Sequence, residues 1–297
     1  MRIGVGVEAK SVAGAIEGVR RAADAGFDSA WFSNTFGLDA ITTAAVVTSH
    51  VPAIAVGTAV VPTFPRHPFA MAQQAATAHD ASGGRFILGI GLSHQVVIES
   101  MWGLSFDKPV RHMREYLSVL MPLLRDGKVD FKGDVYSVQA TLDRPSGSPP
   151  VLVAALGPTM LRLTGELADG TLTWMVGVRT LAEHVVPTLT AATSAAGRPE
   201  PHVVAGVPIC VTDDRDAARA RAASTFSVYG RLPSYRAMLD REGAAGPEDL
   251  AVVGDEKAVA EAVQAYADAG VTDLNAVVFG ERADRDRTYA LLAELER

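Results

Sequence analysis

The sequence predicts an α/β fold, a (β/α)8 barrel, and three observations carry that expectation. First, eight apolar runs of strand length can be marked: IGVGV from Ile3, SAWFS from Ser29, IAVGTAVV from Ile54, RFILGIG from Arg85, VLVAA from Val151, TLTWMV from Thr171, VVAGVPICV from Val203 and LNAVVF from Leu274. Second, almost every pair is separated by a segment of helical periodicity, and this alternation marks a parallel sheet buried on both faces. Third, RRAADAGFDSAWF and QAYADAGVTDLNAVVF echo one another, each ending a helix at Asp-Ala-Gly, at Gly26 and Gly270, before turning into a strand. Glycine is the expected left-handed helix stop. Eight such units suggest closure, with an open doubly wound sheet as the alternative, because periodicity does not encode closure. All 297 residues are read as one domain, since such barrels commonly run to about 250 residues as a unit.

Taken in order, the second strand ends at Ser33-Asn34-Thr35, and the third runs into a loop of Pro62, Thr63, Phe64, Pro65, Arg66, His67 and Pro68. An Ala- and Gln-rich helix follows and stops at Ser82-Gly83-Gly84, and the fourth strand ends at a glycine and then Ser93-His94. This β-α-β unit brings polar and aromatic residues to one sheet edge, where parallel α/β folds build their sites. Residues 92–150 form a first insertion, with a helix from Val110 to Arg125, a hairpin in VDFKGDVYSVQ turning at Lys132-Gly133-Asp134, and the loop DRPSGSPP. Gly157-Pro158-Thr159-Met160 follows the fifth strand and opens a helix. Glycine allows close approach, proline suits the first turn, and the free N–H groups favour a phosphate oxygen. An ordinary strand-to-helix turn explains the same residues. Asp169-Gly170 is read as a tight turn into the sixth strand. After the seventh strand the helix from Asp214 leads into a second insertion, about 229–250. Insertions of this size at sheet ends usually cover or shape a pocket.

Composition narrows the function. A formal charge of −7 argues against general nucleic-acid binding. The one cysteine, Cys210, excludes an intrachain disulfide, and its apolar setting in GVPICV makes it a buried, inert thiol. No N-terminal signal pattern is present, and no apolar stretch approaches the roughly 20 residues that span a bilayer, so a cytoplasmic protein without a membrane partner is expected. No histidine pair has metal-ligand spacing with a carboxylate in register, so no metal site is expected. No nucleophile elbow or P-loop appears. The remaining candidate is His94, as an acid–base group or as a cofactor contact. Its neighbours in sequence are Gln95, Glu99 and Trp102. His79 sits in a helix beside Asp80, and His50, His112, His184 and His202 read as peripheral.

The series GTAVVPTFPRHP, SGGRFILGIGLSH, and PPVLVAALGPTML with LADGTL resembles the bacterial-luciferase-like superfamily, in the deazaflavin branch that uses coenzyme F420. Methylenetetrahydromethanopterin reductase and F420-dependent glucose-6-phosphate dehydrogenase are the characterised relatives it most resembles. The resemblance implies a luciferase-like (β/α)8 TIM barrel, coenzyme F420 at the C-terminal strand ends with FMN as the alternative cofactor, hydride transfer at the deazaflavin C5, a small-molecule substrate and a homodimer. It implies a cis peptide at Ala59-Val60 behind the ring, and cofactor contacts from Asn34, Ala59, Val60, Phe64, Ser93, Leu156, Gly157, Pro158, Thr159 and Met160. Arg66 and His67 would face the coenzyme's acidic tail. In the glucose-6-phosphate enzyme the second strand ends in Ser-Asp-His, whereas Thr35 stands here in place of the imidazole, which disfavours that substrate. His94 replaces that relative's glutamate after the fourth strand, and is the catalytic candidate. The reading is an F420-dependent oxidoreductase, reducing an activated C=C or C=N bond. Its rivals are an FMN-dependent monooxygenase and a non-catalytic flavin-binding protein.

Overall fold

Eight parallel strands close on themselves in the computed structural model, which describes residues 1–296. They are β1 (Arg2–Gly6), β2 (Ser29–Phe32), β3 (Ala55–Thr58, resumed at Val61–Pro62), β4 (Phe86–Gly91), β5 (Val151–Val153), β6 (Gly170–Trp174), β7 (His202–Val211) and β8 (Asp273–Val278). Each pairs with the next, and β8 returns to β1 from Arg2↔Asp273 to Val5↔Ala276. Closure leaves these eight strands no free edge, which selects the barrel over the open sheet. Helices cover the outside. Ser11, Asp39, Asp214 and Asp255 cap helix starts by accepting the amide three residues on. Gly26 and Gly270 take the left-handed conformation expected of them, at φ +92° and +91°.

The barrel is a packed core, and its floor is built around Trp31 with Leu152, Leu172 and Val204. The indole needs neighbours without side chains. A Cβ on Gly57 would fall 2.3 Å from its ring, and one on Gly4 would fall 2.8 Å from its Nε1. That nitrogen instead donates to Ser29 Oγ at 2.9 Å. At the N-terminal end of the strands Asp169 works as a clamp, accepting from the Val151 amide at 2.9 Å and from Arg125 and Arg198 at 2.7 and 2.8 Å. Gly170 must be glycine, because a Cβ would lie 2.2 Å from the His202 carbonyl oxygen.

Two details of the insertions differ from the sequence reading. The helix Pro109–Asp126 is the fourth member of the outer ring, packed between helices Pro68–Ala81 and Pro158–Leu167, so the added structure after β4 is residues 92–108 and the hairpin. The hairpin pairs Lys128–Lys132 with Ser137–Thr141, and because Lys132 pairs with Ser137 the turn is residues 133–136. Glu115 enforces this longer turn. Its carboxylate accepts the amides of Asp134, Val135 and Tyr136 at 3.1, 2.7 and 2.9 Å, and these bonds hold its pKa below the usual range against the opposing effect of burial. After β7, the helix Pro233–Glu242 packs with Cys210, Phe226, Leu239 and Leu250 as a small satellite core. Burial there pushes the Cys210 thiol up to about 11, which keeps it inert. A short strand, Val252–Gly254, extends the sheet beside the upper half of β7. Three residues carry no readable periodicity, so the sequence did not reveal it.

Candidate active site

The third strand is bulged where the site should lie. Gly57 pairs with Ile87 and Val61 with Ile90, so three residues of β3 oppose two of β4. One is extra. Thr58 repairs the ladder, its hydroxyl donating to the Gly89 carbonyl at 2.8 Å and accepting the Gly89 amide at 2.9 Å. The Ala59-Val60 peptide that follows is cis. Val60 presses on β4 so closely that a Cβ at Gly91 would meet its Cγ2 at 2.8 Å and Ala154 Cβ at 3.1 Å. Ala59, Val60, Gly91 and Ala154 therefore give the ends of β3, β4 and β5 a shelf of small apolar groups.

His94 stands at the end of this shelf. Ser93 adopts φ +61°, an αL conformation uncommon for a non-glycine residue, and redirects the chain into the π-helix Val96–Met101, whose first amides bond to the His94 carbonyl. The imidazole is partly buried, and burial holds its pKa below the usual 6.5. Its ring lies 5.8 Å from that of Tyr235, which in turn meets Tyr229 at 5.0 Å. Tyr229 then packs edge-on to Trp174 of β6. Both tyrosines come from the insertion after β7. Burial raises their pKa values, so both stay protonated across the working range. The sequence marks the insertion from Tyr229 onward, but not Tyr235 nor the meeting of these rings with His94 and Trp174. Gln95 and Glu99 bond to each other at 2.9 Å on the exposed side.

Leu156 to Met160 continue the arc past β5. The helix Pro158–Leu167 begins at Gly157 with no side-chain cap, and nothing lies within 4 Å of a Cβ built there. Arg162 reaches back to the Thr159 hydroxyl at 3.4 Å and adds a cation to the helix start. Met160 is buried, while Gly157, Pro158 and Thr159 are exposed. His184, read from sequence as peripheral, is buried and bonds to the Leu156 carbonyl at 2.8 Å. The helix start after β6 contrasts with this one. There Glu242 accepts the amides of Arg179 and Thr180 at 3.1 and 2.7 Å, so a carboxylate of the chain already fills the anion position.

Two expected contacts serve the fold. Asn34 Oδ1 accepts the Ala40 amide at 2.9 Å, so it spends that acceptor on the helix start after β2. Phe64 stacks on His112 with centroids 3.9 Å apart and on Phe106 at 5.2 Å. His112 is therefore a buried hub, bonded to Thr63 Oγ1 at 3.0 Å. Its distance in sequence from Phe64 hid this. Arg66 pairs with Asp39, and His67 accepts the Phe69 amide to cap its helix. A cleft of about 180 Å³ opens above β1 and β2, lined by Val7, Glu8, Phe32, Ser33 and Thr35. No group of three or more potential metal ligands occurs among the described residues. Nor, among them, is any helix long and apolar enough to cross a membrane.

Fold and site together define a (β/α)8 barrel whose mouth combines a shelf of small apolar groups, a helix start without a side-chain cap and a half-buried histidine. Residues 1–273 match the luciferase-like monooxygenase family, and the chain belongs to that family. It is 30% identical over 205 residues to the 5,10-methylenetetrahydromethanopterin reductase of Methanolobus tindarius, a match covering 68% of this chain and 62% of that enzyme. It is 29% identical over 282 residues to the F420-dependent glucose-6-phosphate dehydrogenase of Kineococcus radiotolerans, covering 86% and 83% of the two chains. The coenzyme F420-dependent tetrahydromethanopterin reductase of Methanopyrus kandleri has the same fold, with a TM-score of 0.82 at 22% identity over 99% of this chain and 97% of that one.

Proposed function

We propose that this protein is a coenzyme F420-dependent oxidoreductase that reduces an activated C=C or C=N bond of a small organic substrate. The observation that carries the reading is the arc from the bulge of β3 to the uncapped helix start at Gly157, beside His94. It joins small apolar groups to a helix start without a side-chain cap along three neighbouring strand ends. The two F420-dependent relatives named above support the same cofactor. When bound, the deazaflavin supplies a hydride at C5. Ala59, Val60 and Ala154 offer the ring a surface. Ser93 and Leu156 border it, and the amides of Pro158–Leu167 with Arg162 would hold a phosphate oxygen. His94 is placed to deliver a proton to the substrate, and Tyr229, Tyr235 and Trp174 restrict water on the opposite side. Asn34 and Phe64 are left a border role, since their better contacts are spent on the fold.

The family also includes monooxygenases, so the deciding experiment is cofactor binding. Oxidised F420 and FMN are titrated separately into the apoprotein and followed by fluorescence. Binding of F420 in preference to FMN, followed by oxidation of the reduced coenzyme in the presence of an enone or imine, is the expected result. Preference for FMN, with oxygen-dependent product formation, would make the protein a monooxygenase. Tight binding without turnover on a broad substrate panel would make it a carrier.

A further inference from the structure

Residues 94–107, which follow β4, keep their hydrogen bonds to themselves. The amides of Val97 and Ile98 reach the His94 carbonyl, and those of Trp102, Gly103 and Leu104 reach the carbonyls of Val97, Glu99 and Ile98. Gln95 bonds to Glu99, the Phe106 amide to the same carboxylate, and the Asp107 amide to Ser105 Oγ. No hydrogen bond ties the segment to the rest of the described chain. Its one buried side chain is Ile98, and Phe106 adds a stack on Phe64. The joints at its two ends are unusual. Three non-glycine residues of the described chain have positive φ, and two of them, Ser93 at +61° and Lys108 at +50°, stand immediately before and after this segment. Such backbone is uncommon outside glycine and clusters at ligand clamps and switch regions. Between the joints lies the π-helix Val96–Met101, a form frequent at functional sites. Two of its apolar side chains are unused by the fold, since Val96 is 57% and Met101 58% exposed. The insertion after β7 likewise leaves Val228, beside Tyr229, 47% exposed. The two insertions already meet at one point, where the His94 ring lies 5.8 Å from that of Tyr235.

We propose that residues 94–107 are a rigid strap that swings on Ser93 and Lys108 to close the mouth, bringing Val96 and Met101 against the segment 228–235 over an occupied shelf. A unit whose hydrogen bonds are all internal moves without breaking any of them, so the change is confined to the joints. Apolar burial supplies the drive. His94 is the first residue of the strap, so the motion that excludes water also sets the proton donor over the substrate. The acid is thereby tied to the closed state. Naming the coenzyme as the occupant rests on the oxidoreductase reading above, whereas the hinged strap itself does not.

The test is amide hydrogen exchange read by mass spectrometry on the whole protein, wild type and the double variant Val96→Asp, Met101→Asp, each free and with oxidised F420. In free wild type, residues 95–107 are expected to exchange about tenfold or more faster than the neighbouring helix Pro109–Asp126, and to slow by a similar factor with coenzyme bound. Exchange as slow as that of the helix in the free protein, or unchanged in a complex that fluorescence shows to have formed, overturns the proposal. Protection that follows protein concentration rather than coenzyme assigns the apolar pair to a contact between copies, and also overturns it. The variant is expected to keep the wild-type thermal midpoint, because both positions are exposed. It should nevertheless lose the coenzyme-dependent protection and bind F420 about tenfold more weakly, since closure now buries two charges. A lowered midpoint shows that the pair is already packed, and unchanged protection or affinity shows that closure does not bury it; either result overturns the strap. If fluorescence shows no F420 binding by wild type, the cofactor reading fails, and exchange in the free protein alone decides the strap.

Discussion

His94 joins a pKa held down by burial to a position at the end of β4. Its acid form is the protonated imidazole, which burial disfavours. If it donates a proton to the reduced substrate, the turnover rate should fall as pH rises through a value below 6.5. His94→Ala should then lower kcat by roughly 10²–10⁴-fold with coenzyme affinity kept. Steady-state rates at saturating coenzyme, with affinity measured by fluorescence, check both halves. Lost affinity with preserved turnover would make His94 a binding residue. Gly157 gives a second prediction at this scale. Its φ of −77° and the open space around it allow any side chain, so Gly157→Val should fold normally. It should also bind F420 more weakly, because the branched side chain crowds the helix start. Unchanged affinity would leave the segment an ordinary turn. Both residues were legible in the sequence, since a strand end and a Gly-Pro helix start are local signals. Tyr235 was not, because its importance depends on which groups face it.

The hairpin and the helix Pro109–Asp126 owe their placement to a few buried polar contacts. His112 is the most consequential. Burial lowers its pKa from 6.5 to about 4, outweighing the opposite pull of Glu115. The folded protein therefore binds fewer protons here than the unfolded chain does. The contribution of His112 to stability is fully present above pH 6.5, declines as pH falls from 6.5 toward 4, and changes no further below that. Urea midpoints measured across this window should fall with pH. In His112→Gln, which does not titrate and can still bond to Thr63, that part of the decline should vanish. An unaltered pH profile in the variant would place the sensitive group elsewhere. The sequence revealed the hairpin from its alternation but set the turn too early, because the carboxylate that holds residues 133–136 comes from Glu115, in the preceding helix. It also counted that helix with the insertion, since nothing local distinguishes an outer-ring helix from an added one.

At the scale of the molecule, the barrel depends on residues without side chains as much as on those with them. Gly57→Ala would drive a methyl group to 2.3 Å from the Trp31 ring. Such overpacking typically costs about 1–3 kcal/mol, so the urea-derived stability should drop by that order. Combining it with Trp31→Phe should cost less than the sum of the two single changes, because the smaller ring leaves room. Strict additivity would show that the two residues do not share the floor. The eight strands, their alternation with helices and the helix stops at Gly26 and Gly270 are legible in the chain alone, because each is written in local periodicity or in one residue's backbone freedom. Closure of the sheet is not legible locally, since it is a pairing between β1 and β8 at opposite ends of the chain. The tertiary structure also decided which side chains meet across the mouth, where Phe64 turns to His112 and the insertion after β7 carries Tyr235 to His94. Those contacts join residues far apart in sequence, and no local pattern encodes them.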